Sequence, residues 1–237
     1  STFTALTTGD KNVGIGYNAL AANTTGYETV AIGGNALDAQ TTAERNVGVG
    51  QDALGSTTTG SNNVGVGREA GTANTSGANN VWIGGSAGMT STTATRVVAV
   101  GIDSLKDNTG DDNTAVGAYS LEENTSGNYN TAIGSYAMET NTTGSLNVAI
   151  GYQAMEANTS ANDSTAVGYQ ALKVQTTGHS NTVVGKLAGA AITTGTENTL
   201  MGERSGDAIT TASNITGIGH KALSALTTGG NNTALGS

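Results

Sequence analysis

Residues 130–163 read NTAIGSYAMETNTTGSLNVAIGYQAMEANTSAND, one 17-residue phrase written nearly twice. A phrase that recurs so closely is either a small chemical site in duplicate or a unit of architecture. The rest of the chain decides between them. The glycine that closes each VAIG-like run recurs at Gly16, Gly33, Gly50, Gly67, Gly84, Gly101, Gly117, Gly134, Gly151, Gly168, Gly185, Gly202, Gly219 and Gly236. Every interval is 17 residues except Gly101 to Gly117, which is 16. A single frame running through the whole chain predicts one repeat domain over residues 1–237, with the short interval absorbed in the KDNTGDD loop, residues 106–112.

Composition agrees with a stacked repeat. Glycine supplies 36 of 237 residues, aromatics 4% and charged residues 11%, with no proline and no cysteine. Large side chains are too few for an ordinary core, so small, regularly placed residues must bury the apolar surface. The formal net charge is −9, and the cations Lys11, Arg45, Arg68, Arg96, Lys106, Lys173, Lys186, Arg204 and Lys221 stand singly. Nucleic acid is therefore not an expected partner, because phosphate neutralisation needs clustered cations. No apolar run approaches the length of a membrane span, so no membrane insertion is expected of this segment.

Within each unit the residue before the anchor glycine is aliphatic: Ile15, Ile32, Val49, Val66, Ile83, Val100, Val116, Ile133, Ile150, Val167, Val184, and then Met201, Ile218 and Leu235. Two residues earlier stands Val or Thr, and this period-two alternation predicts a short β-strand over the first five residues of each unit. The constancy of the aliphatic position marks it as a buried column. A second apolar column follows four residues after the glycine, at Leu20, Leu37, Leu54, Leu105, Leu121, Met138, Met155, Leu172 and Leu223, with Gly71, Gly88, Gly189 and Gly206 interrupting it. It predicts a second, weaker strand or an extended corner. The NTTG segments, such as residues 23–26 and 141–144, are turn chemistry, with glycine supplying φ > 0. Apolar spacing never follows the helical i, i+3, i+4, i+7 pattern. The expected fold is all-β: a parallel β-solenoid, or β-roll, of about 14 coils, whose equivalent residues stack roughly 4.8 Å apart into a rod of roughly 65 Å. Aligned asparagines can form amide ladders along it.

The runs NTAIGSYAM, NVAIGYQAM and STAVGYQAL resemble the head repeats of trimeric autotransporter adhesins, and with NTTG they are similar to repeats of phage tail fibres. The likeness extends over nearly the whole chain, although this unit is longer than the adhesin one. It implies a left-handed roll and a homotrimer packed about a three-fold axis. It also implies an extracellular place, on a cell surface or a virion fibre.

Chemistry-bearing residues give few alternatives. GVGREAG (65–71) superficially suggests a dinucleotide loop, but that fingerprint opens a helix once per fold, whereas this one recurs in every coil. His179 and His220 lie in different coils at different positions, so neither a metal site nor a base–nucleophile pair is indicated. No cofactor and no catalysis are expected. The acids, among them Asp38, Asp52, Glu122 and Glu123, suggest a solvated face. Trp82 stands where other coils have Gly or Ala, and is either an exposed contact or a filler beside Gly71 and Gly88. Tyr136, Tyr152 and Tyr169, with Tyr17 and Tyr119, could form an aromatic stripe for sugars or pack at corners. Sequons at Asn23, Asn141 and Asn158 are candidate glycosylation sites, because an NTT corner should be exposed.

Two functions follow. The first is a structural and adhesive fibre shaft or head that presents a repetitive surface to a host receptor or glycan. The partial unit in residues 1–10 and the stop at NNTALGS, in mid-unit, lead one to expect a fragment continued by flanking domains or by end-to-end assembly. The alternative is an ice-binding solenoid using the threonine pairs Thr24/Thr25, Thr142/Thr143 and their equivalents.

Overall fold

A computed structural model describes residues 2–237. It is all-β, a parallel β-solenoid with a repeat of about 17 residues, and contains no helix among the described residues. The chain divides into two compact units, Ser1–Asn113 and Thr114–Ser237, and the division falls inside the 16-residue interval from Gly101 to Gly117. In the first unit lie β1 (Val13–Ile15), β2 (Val30–Ile32), β3 (Val47–Val49), β4 (Val64–Val66), β5 (Val81–Ile83) and β6 (Val98–Val100). Each of the first five pairs in parallel with the next, in the register Val13↔Val30 or its equivalent. In the second unit lie β7 (Thr114–Val116), β8 (Thr131–Ile133), β9 (Val148–Ile150), β10 (Thr165–Val167), β11 (Thr182–Val184), β12 (Thr199–Met201), β13 (Thr216–Ile218) and β14 (Thr233–Leu235). These pair in chain order in the same way.

The strands are three residues long, shorter than the expected five, because the anchor glycine bends the chain at once. Gly33 has φ +136°, and a Cβ there would run into the backbone of Gly50 in the next coil. Only glycine meets both the dihedral and the close approach. The corner that follows holds two further left-handed residues, such as Asn35 (φ 54°) and Leu37 (φ 50°), and a third precedes the next strand, as at Arg45 (φ 55°).

The second apolar column is therefore a series of left-handed turns and not a second strand. A non-glycine residue in that region costs roughly 1–2 kcal/mol. Full burial of a Leu or Met side chain returns about 1.5–3 kcal/mol, so the strain is offset where it arises. Leu20, Leu37, Leu54, Leu105, Leu121, Met138, Met155 and Leu172 are all completely buried. Their backbone N–H groups bond the neighbouring coil, as in Leu37 N–H to the Ala53 carbonyl at 3.0 Å.

The first column corrects the sequence reading. Side chains alternate across a strand, so in a three-residue strand the outer two share one face and the middle one takes the other. The middle residue is the one inside: Ala31, Ala99, Ala132, Ala149 and Ala166 are fully buried. The aliphatic residues before the glycines face outward instead. Ile15 is 58% exposed, Ile83 and Ile133 39%, Ile32, Val116 and Ile150 37%. Val49, Val66, Val100, Val167 and Val184 are partly exposed. The interior is narrow, and a Leu from one coil already lies over the middle strand position of the next. A Cβ at Gly65 would come within 2.8 Å of Leu54 Cγ. A second aliphatic column has no room inside.

Two asparagine ladders complete the interior. At the start of each unit, Asn46 Oδ1 accepts the backbone N–H of Asn63 at 2.8 Å, and Asn63 Oδ1 accepts that of Asn80 at 3.0 Å. In the NTTG turn, Asn23 Nδ2 donates to the Gly26 carbonyl and its Oδ1 accepts the Gly26 N–H, both at 3.1 Å. The turn glycines themselves do not have positive φ. Their value is proximity, because a Cβ on Gly26 would meet both the Ala43 carbonyl and Asn23 Oδ1. The shortened interval is absorbed in this turn: Asn108 Nδ2 bonds the Gly110 carbonyl two residues on, where other coils span three.

Candidate functional site

Three surfaces collect the side chains that could meet another molecule. The first is the outer face of the strands. In the first unit it presents Val13, Val30, Val47, Val64, Val81 and Val98 beside Ile15, Ile32, Val49, Val66, Ile83 and Val100. In the second unit Thr replaces Val in the first of these rows at every strand except β9, which keeps Val148. The face lacks any charged side chain, and Met201 (46% exposed) and Ile218 (39%) extend its apolar row.

The second surface is the left-handed corner in the first unit, where Asn35, Asp38, Ala39, Asp52, Gly55, Ser56 and Thr72 line an open cavity of about 400 Å³. Gly55 opens it, because a Cβ there would stand 3.5 Å from Asp38 Oδ1 and from Thr72 Oγ1. Asp52 accepts hydrogen bonds from Asn35 Nδ2 and Gln51 Nε2, each at 3.0 Å. Burial pushes the Asp38 carboxyl above the usual range for aspartate, and the Asp52 charge adds to the effect. These two acids, read from sequence as part of a solvated face, thus share a depression. They offer acceptors suited to hydroxyl or amine donors.

The third surface is the same corner in the second unit, where four tyrosines stack coil upon coil. Tyr119 and Tyr136 are parallel with centroids 5.1 Å apart, Tyr136 meets Tyr152 edge-on at 6.0 Å, and Tyr152 and Tyr169 are parallel at 5.6 Å. Such pairs contribute about 0.5–1.5 kcal/mol beyond their burial. Two of the three contacts occupy ring faces, so what the stripe presents outward is largely edges and hydroxyls. Beside it stand Glu122, Glu139 and Glu156 at equivalent positions of successive coils. Burial raises the Glu139 carboxyl above its ordinary value, with Glu156, Glu122 and Glu123 adding repulsion. Lys173 ends the row at 3.3 Å from Glu156.

Two sequence-derived candidates are not at the surface. Trp82 is completely buried, its six-membered ring against Gly71 and its pyrrole N–H against Gly88, so it is a filler and not an exposed contact. Asn23, Asn141 and Asn158 are also fully buried within the ladder, and their amides are hydrogen-bonded. No face of these three side chains is open to a glycan in the folded chain. The NTT corner does reach solvent, but through its threonines.

Those threonines divide into two sorts. The first of each pair donates its hydroxyl to the next coil's backbone, as Thr24 to Thr41, Thr142 to Thr159 and Thr176 to Thr193. Among the described residues no group of three or more His, Cys, Asp or Glu side chains could hold a metal, and no helix is long and apolar enough to cross a membrane. No protein-family model matches the chain, and no curated protein matches it.

Proposed function

We propose that this chain is a structural and adhesive segment of an extracellular fibre, assembled from three copies and presenting its repetitive surface to a host receptor or glycan. The observation that carries this reading is the uncharged outer strand face. In the first unit its two parallel rows of partly exposed aliphatic side chains form an apolar strip, and in the second unit the row before the anchor glycines stays aliphatic beside threonines, a pattern associated with association surfaces. The strips of three copies would face a common axis, and the left-handed coil implied by the adhesin-like repeats belongs to the same reading. Tyrosine hydroxyls and carboxylates at the corners would then remain outward, as acceptors and donors for sugar hydroxyls. Light scattering on the purified chain tests the assembly. Three copies per particle are expected, and a chain that stays single at micromolar concentration overturns the reading.

Ice binding is the second reading, moved to different threonines. Thr131, Thr165, Thr182, Thr199 and Thr216 lie on parallel strands beside aliphatic neighbours, whereas the first threonine of the turn pairs has its hydroxyl engaged by a backbone carbonyl, as at Thr24, Thr142 and Thr176. Thermal hysteresis indistinguishable from that of an ordinary globular protein removes this reading.

A further inference from the structure

The two hydroxyl residues of each turn form an inner and an outer column. The inner residue is Thr, and from Thr24 to Thr75 and from Thr125 to Thr210 its hydroxyl donates to a backbone carbonyl of the next coil. The outer residue makes no such bond. In the first unit it is Thr25, Thr42, Thr59, Ser76 and Thr93, and in the second unit Ser126, Thr143, Ser160, Thr177, Thr194 and Thr211. All of these are exposed, and none of their hydroxyls has a hydrogen-bond partner within the chain.

Nothing in the fold asks for a hydroxyl at the outer position. None of these residues has a positive φ. What each gives the stack is its backbone N–H, as Thr25 to the Thr41 carbonyl at 3.2 Å and Thr143 to the Thr159 carbonyl at 3.0 Å, and any residue but proline supplies that. The exposed position three residues on shows how freely a solvated site of this repeat varies. It holds Glu28, Arg45, Asn62, Asn79 and Arg96 in the first unit, and Tyr129, Leu146, Asp163, Ser180 and Glu197 in the second. The outer turn position alternates only between Thr and Ser. Ser76, Ser126 and Ser160 show that the methyl group is dispensable, while valine, which has the shape of threonine, and asparagine, which is as well solvated, do not occur there. The side chain is retained for its hydroxyl, and that hydroxyl serves a chemistry outside the packing of the coils.

We propose that the outer turn column is a ladder of acceptors for O-linked sugars. This inference does not rest on the three-copy assembly. A separate glycosyltransferase supplies a nucleotide sugar. The turn hydroxyl oxygen attacks the anomeric carbon, a new C–O bond forms as the bond from that carbon to the diphosphate breaks, and the nucleoside diphosphate departs. The hydroxyl proton passes to a base of the transferase. Charge favours a neutral sugar over a phosphoryl group. A phosphate on each turn would carry about −1.5 to −2 charges, repeated at roughly 4.8 Å, well inside a Debye length of about 8 Å, on a chain whose net charge is already −9. A neutral adduct adds no such repulsion. The neighbouring sequon asparagines are enclosed, so the turn offers its threonines and serines for modification in their place.

Mass spectrometry of the protein isolated from its native source tests the proposal, with fragmentation that leaves side-chain adducts in place. The expected intact mass exceeds that of the sequence by whole sugar residues, and the fragments place them on the outer column, at Thr25, Thr143 and their equivalents. A chain with the unmodified mass overturns the proposal. So do phosphate in place of sugar, and sugars found as often on Thr24, Thr142 or the strand threonines as on the outer column. A second measurement uses unmodified recombinant protein. Thr142→Ala removes the bond to the Thr159 carbonyl and should lower the denaturation midpoint, whereas Thr143→Ala should leave it unchanged. Equal losses in the two variants would give the outer hydroxyl a part in the fold and remove the ground for the proposal.

Discussion

The side-chain amide of Asn158 donates to Oδ1 of Asn141 at 2.7 Å, a hydrogen bond between residues one coil apart and both fully buried. Asn141 in turn donates to Asn124 and to the Gly144 carbonyl. Replacing Asn141 by Ala removes the acceptor of the Asn158 amide, the donor to Asn124 Oδ1 and the bond to the Gly144 carbonyl. An abandoned buried polar group costs about 1–3 kcal/mol, so Asn141→Ala should destabilise the second unit by at least that amount in chemical denaturation. The same burial predicts that folded protein produced in a glycosylating host has no sugar on Asn23, Asn141 or Asn158, which peptide mapping by mass spectrometry reads directly.

The two apolar columns should respond differently to truncation. Met138 is fully buried, and Met138→Ala should cost about 2–5 kcal/mol of stability, as core truncations do. Ile150 is 37% exposed on the strand face. Ile150→Ala should cost the single chain less than Met138→Ala, and Ile133→Glu with Ile150→Glu should lower the copy number per particle while the far-ultraviolet spectrum stays that of a folded chain. Equal stability losses at Met138 and Ile150 would mean that the outer face is covered within the chain itself.

The architecture could be read from the sequence because a repeat of 17 with short strand-like runs and glycine corners admits few folds. Which side of the strand lies inside could not be read from alternation, since three residues of period two look the same from either face. Size held the answer. The middle position is Gly or Ala in most coils. The two largest exceptions, Trp82 and Leu200, occur where the leucine column has given way to Gly71, Gly88, Gly189 and Gly206. Volume exchanged between two positions shows that they share one interior. The turn asparagines were misplaced for another reason. An isolated NTTG segment is a surface turn, and only a stack of copies supplies the partners that let its Asn go inside. The corner sites were legible only as residue types, because no spacing rule shows that Asp38 and Asp52 border one cavity or that tyrosines at two different positions of the unit form one stack.

The stability of the second unit should depend on pH through Glu139. Its carboxyl is raised above the ordinary glutamate range by burial and by Glu156, Glu122 and Glu123. A carboxyl raised on folding holds its proton more tightly in the native state, so stability is greatest below the ordinary glutamate value and falls as pH rises to the raised one. Glu139→Gln should therefore be more stable than the parent at neutral pH, and the difference should vanish in acid. A Glu139→Gln advantage that grows as pH falls would contradict the repulsion read from this row.

The exchange of volume around Trp82 permits a sharper test, because it makes a statement about three positions at once. A Cβ added at Gly71 would strike the six-membered ring of Trp82, and one added at Gly88 would strike its pyrrole edge. Neither contact can relax outward, since both glycines and the indole are enclosed by neighbouring coils. Gly71→Leu alone should overpack the interior and cost about 1–3 kcal/mol or more, and Trp82→Ala alone should open a cavity and cost about 3–5 kcal/mol. In combination, Gly71→Leu, Trp82→Ala and Gly88→Leu restore the pattern of the regular coils, with Leu in the corner column and Ala in the strand, as at Leu121 and Ala132. The triple variant should be more stable than Trp82→Ala, with a coupling energy of about 0.5–3 kcal/mol or larger in the favourable direction. Denaturant titration of the parent, Gly71→Leu, Gly88→Leu, Trp82→Ala and the triple variant gives the coupling. Strict additivity would mean that the three side chains do not share a space, and that the repeat tolerates tryptophan by some means other than the two glycines.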